Sequence, residues 1–251
     1  MSKTNVTIKE DYILPSRGKM YNKPIDPNVE LRSMTVAEEM KRLSRTENPY
    51  KMMSEIIDDC LITKLPISTY DLCLCDYIYL LHKMRVVTYG TEYTIQYICP
   101  VCGKLQKTTI DLDNLNVLYY DESIENDKYL TLPSSKREVK LRFQTPRDLD
   151  KIEQRKKELK SKLPEGEDPT ILLTLSSLIE TIDGKPLDAI LGLEALKKLP
   201  MMDMNYLAQK ATKLQEKVGI DTIINAHCSE CGNDVKTTFR YTSEFFRPTV
   251  D

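Results

Sequence analysis

Two short segments, half a chain apart, share one pattern and limit what this chain can become. The first reads CPVCGKLQKTTI from Cys99 to Ile110, and the second reads CSECGNDVKTTF from Cys228 to Phe239. In each, glycine follows the second cysteine, and Lys-Thr-Thr with an apolar residue follows at the same offset. Two cysteines three positions apart on a tight turn can aim both thiolates at one ion. Gly103 or Gly232 admits the backbone dihedrals that such a knuckle requires. Two knuckles supply four sulfurs, from Cys99, Cys102, Cys228 and Cys231, the ligand set of a closed structural zinc site. The expectation is one structural Zn2+ per chain, with no open position for water or substrate. The ion would fasten the C-terminal hairpin to the middle of the chain and offset the entropy of closing so long a loop.

Other sulfur chemistries weigh less. A thioredoxin-like redox pair needs CxxC at the start of a helix after a strand, whereas both pairs here run into strand-like sequence. Disulfides, an iron–sulfur cluster and unliganded thiols remain open as alternatives. The total of 7 cysteines is odd, which argues against complete internal pairing. MSKTNVTIKEDY carries no apolar signal core and reads as intracellular, a setting that favours metal or redox roles over a disulfide framework. His227 adjoins Cys228 as an alternative ligand, although the four-sulfur set is simpler. His82 reads as a residue at the C-terminal boundary of a helix, and Cys60, Cys73 and Cys75 as small buried side chains.

Charge narrows the partners. Lys+Arg number 36 against 38 Asp+Glu, a formal net of -2, whereas a protein that tracks a nucleic-acid backbone is usually basic. A nucleic-acid-associated zinc ribbon, drawing on Lys107, Lys236 and the stretch Arg155–Lys157, is therefore the weaker alternative, and a thiol redox enzyme is weaker still. The longest uncharged stretches, Tyr93 to Gly103 and Pro169 to Ile179, fall short of the ~20 apolar residues of a membrane-spanning helix. Asp58–Asp59 and Glu38–Glu39 are adjacent pairs that diverge around a helix and read as solvated. No nucleophile, base and oxyanion site converge, so no enzyme is expected.

Along the chain, LPSRGKMYNKP reads as an irregular segment with turns. Thr35 and Glu38 form a capping box before one helix, and Pro49 opens the next. Ser68 and Asp71 suggest a third helix over about Tyr70 to Arg85. YTIQYI and KTTIDL read as strands around the first knuckle, and KYLTLPSSKREVKLRF as a second hairpin. Thr145, Pro146 and Asp148 mark the clearest helix start. LPEGEDP breaks that helix, and TILLTLSSLIET, LDAILGLEALKKL and MDMNYLAQKATKLQEKVG continue as helical runs, with IDGKPL as a turn. This order implies an α+β protein with two antiparallel cysteine hairpins joined as a zinc-ribbon-like clip. Its parts are an irregular arm over residues 1–30, a helical segment over 31–90, and the first knuckle with its hairpins over 91–144. An α-rich segment over 145–219 and the second knuckle over 220–251 complete it.

LPSRGKMY, LRSMTVAEE and DYIYLLHKMRVVTYG before YTIQYICPVCG, then LIETIDGKPL, LEALKKLP with MMDMNYL, and the closing CSECG occur in order over roughly residues 12 to 247. Together they resemble the T4-type bacteriophage baseplate proteins, a family that includes the hub assembly proteins of contractile-tailed phages. The resemblance implies a role in forming the baseplate hub through contacts with hub or other tail proteins, without a catalytic centre. It places the protein in the host cytoplasm during assembly, or in the tail baseplate of the virion. Leu14, Pro15, Met20 and Tyr21 of the arm are the residues to examine first for a partner's groove, against the alternative that they pack on this chain's own surface.

Overall fold

The computed structural model describes residues 8–160, 168–187, 191–239, 241 and 243–246. The segment expected to be an irregular arm instead contains strand β1 (Lys9–Ile13), paired antiparallel with β2 (Asn28–Arg32) so that Tyr12 faces Val29. The apolar content behind the turn explains the correction. Leu14, Val29 and Leu31 are buried, and leaving them in water would cost roughly 1.5–3 kcal/mol each. Between the strands the chain doubles back at Gly18, whose φ is +68°. A side-chain carbon there would sit 1.9 Å from the Ile25 carbonyl oxygen, so only glycine fits.

Helix α1 (Val36–Arg42) has its capping box, with the Thr35 amide donating to Glu38 Oε2 at 2.7 Å. Helix α2 (Pro49–Cys60) begins at its proline, and the free amides of Tyr50 and Lys51 donate to the Asp150 carboxylate at 3.3 and 2.9 Å. Ser68 caps only a single tight turn over Thr69–Asp71. Helix α3 (Leu74–Tyr89) starts after that turn and extends beyond Arg85, ending at Gly90 with φ +87°. Val86 and Val87 are mediocre helix formers, but both are buried, and packing outweighs propensity. The Arg85 side chain is fully buried and clamps the end of α3 by donating to the Gly90 and Glu92 carbonyls.

Strands β3 (Glu92–Ile98) and β4 (Leu105–Asp111) form the first cysteine hairpin. Strand β5 (Val117–Leu118), the short helix α4 (Ile124–Asp127) and strands β6 (Tyr129–Thr131) and β7 (Glu138–Leu141) follow. Helix α5 (Pro146–Lys160) starts where expected, with Thr145 and Asp148 bonded reciprocally. The break at LPEGEDP falls mostly outside the described residues. TILLTLSSLIET does not stay helical: α6 (Thr170–Leu178) passes directly into β8 (Ile179–Ile182), and Asp183–Gly184 turns the chain into β9 (Lys185–Pro186). The sheet runs β6-β7-β8-β9, so the expected second hairpin gains two strands from the α-rich segment. Helices α7 (Leu191–Lys197) and α8 (Met201–Gln215), then β10 (Gly219–Ile220), which pairs with β5, lead to the second cysteine hairpin. Its strands are β11 (Ile223–His227) and β12 (Asp234–Thr238).

The result is a mixed helix-and-sheet protein of small antiparallel sheets, consistent with α+β. One core gathers Leu14, Leu31, Ile56, Ile57, Leu80 and Met84 with Phe239 and Phe245. A second gathers Leu132, Val139 and Leu141 of the four-stranded region with Leu175, Leu207 and Leu214. Helix α3 serves both, since Cys73 and Cys75 at its start belong to the second core and Tyr77 onward to the first.

Candidate metal centre

Each knuckle is closed by the same two backbone bonds. Cys99 N donates to Lys104 O at 2.9 Å and Gly103 N to Cys99 O at 2.9 Å; Cys228 N donates to Asn233 O at 3.0 Å and Gly232 N to Cys228 O at 2.9 Å. Gly103 and Gly232 have φ of +70° and +71°, with open space where a side chain would stand, so conformation and not crowding selects glycine. The hairpins join across their inner faces. Tyr97 OH donates to the His227 carbonyl at 3.1 Å, Ser229 Oγ to Gln106 Oε1 at 2.8 Å, and Tyr97, Ala226 and Val235 pack around the cysteines.

The four sulfurs of Cys99, Cys102, Cys228 and Cys231 thus lie within 4.8 Å of one another. Between the knuckles, Cys99 and Cys231 are 3.8 Å apart at sulfur and Cys102 and Cys228 are 3.7 Å apart. A tetrahedron built on Zn–S bonds of about 2.3 Å has edges of about 3.8 Å, which the two sulfur distances between the knuckles match. Cys99 and Cys228 are buried, Cys231 is partly covered and Cys102 faces solvent. Their proton affinities differ. Amide donation from Cys102, then Val101, holds the Cys99 thiol below its ordinary value. The Asn233 side chain and amide pull Cys231 down to about 6. At Cys102 the Lys104 amide favours the thiolate, but desolvation and the hydrogen bonds shared with the other three sulfurs push it up to about 12. The set can hold a metal ion, and four protein sulfurs fill a tetrahedral shell.

His227 stands outside this group; its Nδ1 contacts Asp234 Oδ1 at 2.9 Å on the exposed side of the hairpin. His82 is corrected from a boundary residue to a core one. It is 1% exposed, with Nε2 donating to the Leu112 carbonyl at 3.0 Å and Nδ1 accepting from Tyr241 OH at 3.2 Å. Burial lowers its pKa to about 4. The acidic pairs are less solvated than expected. Glu38 pairs with Arg32 at 2.7 Å, and Asp58 accepts from Ser68 Oγ and Thr69 N at 2.8 and 3.0 Å.

A second close group comprises Cys73 and Cys75, expected only as small buried side chains, together with Asp76, which the sequence did not single out; all three are buried. Asp76 fastens the N-terminal turn there by accepting from Ser16 N at 2.9 Å, from Ser16 Oγ, and from Tyr21 OH at 2.6 Å. Nothing in CxC alone signals this, because Ser16 and Tyr21 come from the distant first turn.

Among the described residues no helix is long and apolar enough to cross a membrane. Fold and site together define an α+β protein with two cysteine hairpins that bring four sulfurs into one cluster. A protein-family model described as "T4 bacteriophage base plate protein" matches residues 5–247, nearly the whole chain, and the chain belongs to that family. It is a phage baseplate protein. No curated protein and no solved structure matches it.

Proposed function

We propose that this baseplate protein acts by protein–protein docking during assembly of the tail hub, with no reaction centre of its own. In this reading one structural Zn2+ bound by Cys99, Cys102, Cys228 and Cys231 holds the two hairpins as a ribbon-like clip. The observation that carries it is the meeting of four thiols from two distant knuckles at tetrahedral spacing. A shell filled by protein sulfur favours a structural role. Exposed apolar side chains support docking. Val36, Met40 and Leu43 recur along the outer face of α1, and Ile98, Val101 and Leu105 crown the first knuckle. The second knuckle carries His227, Glu230 and Asp234 at the equivalent places, so the two halves of the clip present different chemistry. The partners are other tail proteins, met in the host cytoplasm during assembly or in the baseplate of the virion. Co-production with the phage's hub proteins is expected to give a stoichiometric complex with about one zinc per chain. A chain that folds fully without metal and captures none of them would overturn the proposal.

A further inference from the structure

Among the described residues, hairpins β3–β4 and β11–β12 are two-stranded sheets, so each strand has one edge whose backbone N–H and C=O groups lack a strand partner. Strands β3 and β12 turn such edges toward one groove of about 870 Å3. Every residue from Tyr93 to Ile98 and from Lys236 to Phe239 borders it. Successive side chains of a strand point to opposite faces, so an unbroken run of bordering residues means that the groove follows the strand edge. The banks run in opposite directions. Strand β3 ends at the cysteine cluster and β12 leaves it, while at the far end Tyr93 and Phe239 meet with ring centroids 5.7 Å apart.

We propose that this groove takes an extended segment of a partner tail protein, which adds as a strand beside β3 and β12 and presents an acidic side chain to Lys236. The inference deepens the docking reading above and rests on it. Two banks of unpaired backbone donors and acceptors call for a ligand that offers the complementary series on both of its own edges, and extended polypeptide does so. Because the banks are antiparallel to each other, the added strand is antiparallel to one and parallel to the other. The closed aromatic end and the six bordering residues of β3 set its length at about six residues, or about 20 Å. Charge sets the chemistry of the occupant. Lys236 is exposed and has no acidic partner among the described residues, and the remaining outward side chains on the banks are Thr94, Gln96, Ile98 and Thr238.

The test is amide hydrogen exchange on the full chain, alone and mixed with each of the phage's separately purified hub proteins. The expected result is new protection at alternate amides of β3 and β12 with one of those proteins. Lys236→Glu should weaken that complex by at least about tenfold while zinc content and the urea midpoint stay unchanged. A complex that forms with no new protection on either strand overturns the groove and leaves docking standing. No complex with any hub protein overturns both. Protection that instead grows with the concentration of this chain alone assigns the groove to a second copy and also overturns the proposal.

Discussion

Cys231 and His82 show how differently two residues can be read from sequence. Cys231 announces itself through spacing, because its partner knuckle has the same cysteine, glycine and Lys-Thr-Thr positions. Replacing it with serine leaves a three-sulfur set and removes a thiol that Asn233 holds well below its ordinary pKa. Cys231→Ser is expected to lose stoichiometric zinc and about 4 kcal/mol or more of stability, the scale associated with losing a metal site. Exchange should rise in the two cysteine hairpins before it rises in α5. Elemental analysis and hydrogen exchange check both points. His82 carries no such signal. Its neighbours Phe239, Tyr241 and Phe245 arrive from the far end of the chain, and only they turn a helix position beside Lys83 into a buried one.

The burial of His82 has a consequence in acid. Above pH 6.5 the imidazole is neutral in the folded and unfolded states, so it contributes no pH dependence. Between 6.5 and about 4 the unfolded chain binds a proton that the folded chain refuses, and stability falls as pH falls. Below about 4 both states are protonated and the loss is complete, at about 3 kcal/mol. His82→Gln is expected to remove this part of the acid sensitivity. Urea midpoints of both proteins at pH 7 and pH 4.5 test it: the same drop in both would refute the assignment.

Helix starts were legible at the scale of the element because their signals are local. Thr35 with Glu38 and Thr145 with Asp148 each satisfy free amides within one turn, and Pro49 starts α2 because it has no amide to leave unpaired. Strand β8 was not legible. Ile179–Ile182 continues an apolar run already in helical register, and what makes it a strand is pairing with β7, about forty residues earlier. The Ser68 and Asp71 signal was real but closed only one turn, since Leu72 turns extended before α3 begins. Strand β1 was hidden for the same reason as β8: its partner lies beyond a long turn that looked like an end in itself.

That turn yields a comparison between glycines. Gly18→Ala must push a side-chain carbon into the Ile25 carbonyl as well as hold a left-handed backbone, and is expected to cost about 2 kcal/mol or more. Gly103→Ala meets open space and should cost only the conformational part, about 1 kcal/mol. Chemical denaturation of the two variants checks the order, and a larger loss at Gly103 would contradict the geometry.

For the whole molecule, the first core joins the N-terminal part of the chain, from Leu14 to Leu112, to Ile224, Phe239 and Phe245 of the closing part. Deleting residues 1–28 therefore removes β1 and the buried Leu14 plug. The shortened chain is expected to unfold at clearly lower urea, where a loose arm would leave the midpoint unchanged. The α+β class and the meeting of the knuckles were legible because cysteine spacing is long-range information written locally. The two-core plan was not, because α3 gives its start to one core and the rest of its length to the other, and its sequence is apolar on too many sides to show where the change falls.

The closing hairpin also sets the order in which a nascent polypeptide can mature. The ribosome delivers β1, α3 and the first knuckle long before the second knuckle and the aromatic residues that cover His82. Until residues 228–245 have been made, the cysteines at 99 and 102 lack their counterparts and the first core stays open at one end. A message cut short before them yields a product without its seal, its apolar interior exposed to proteolysis.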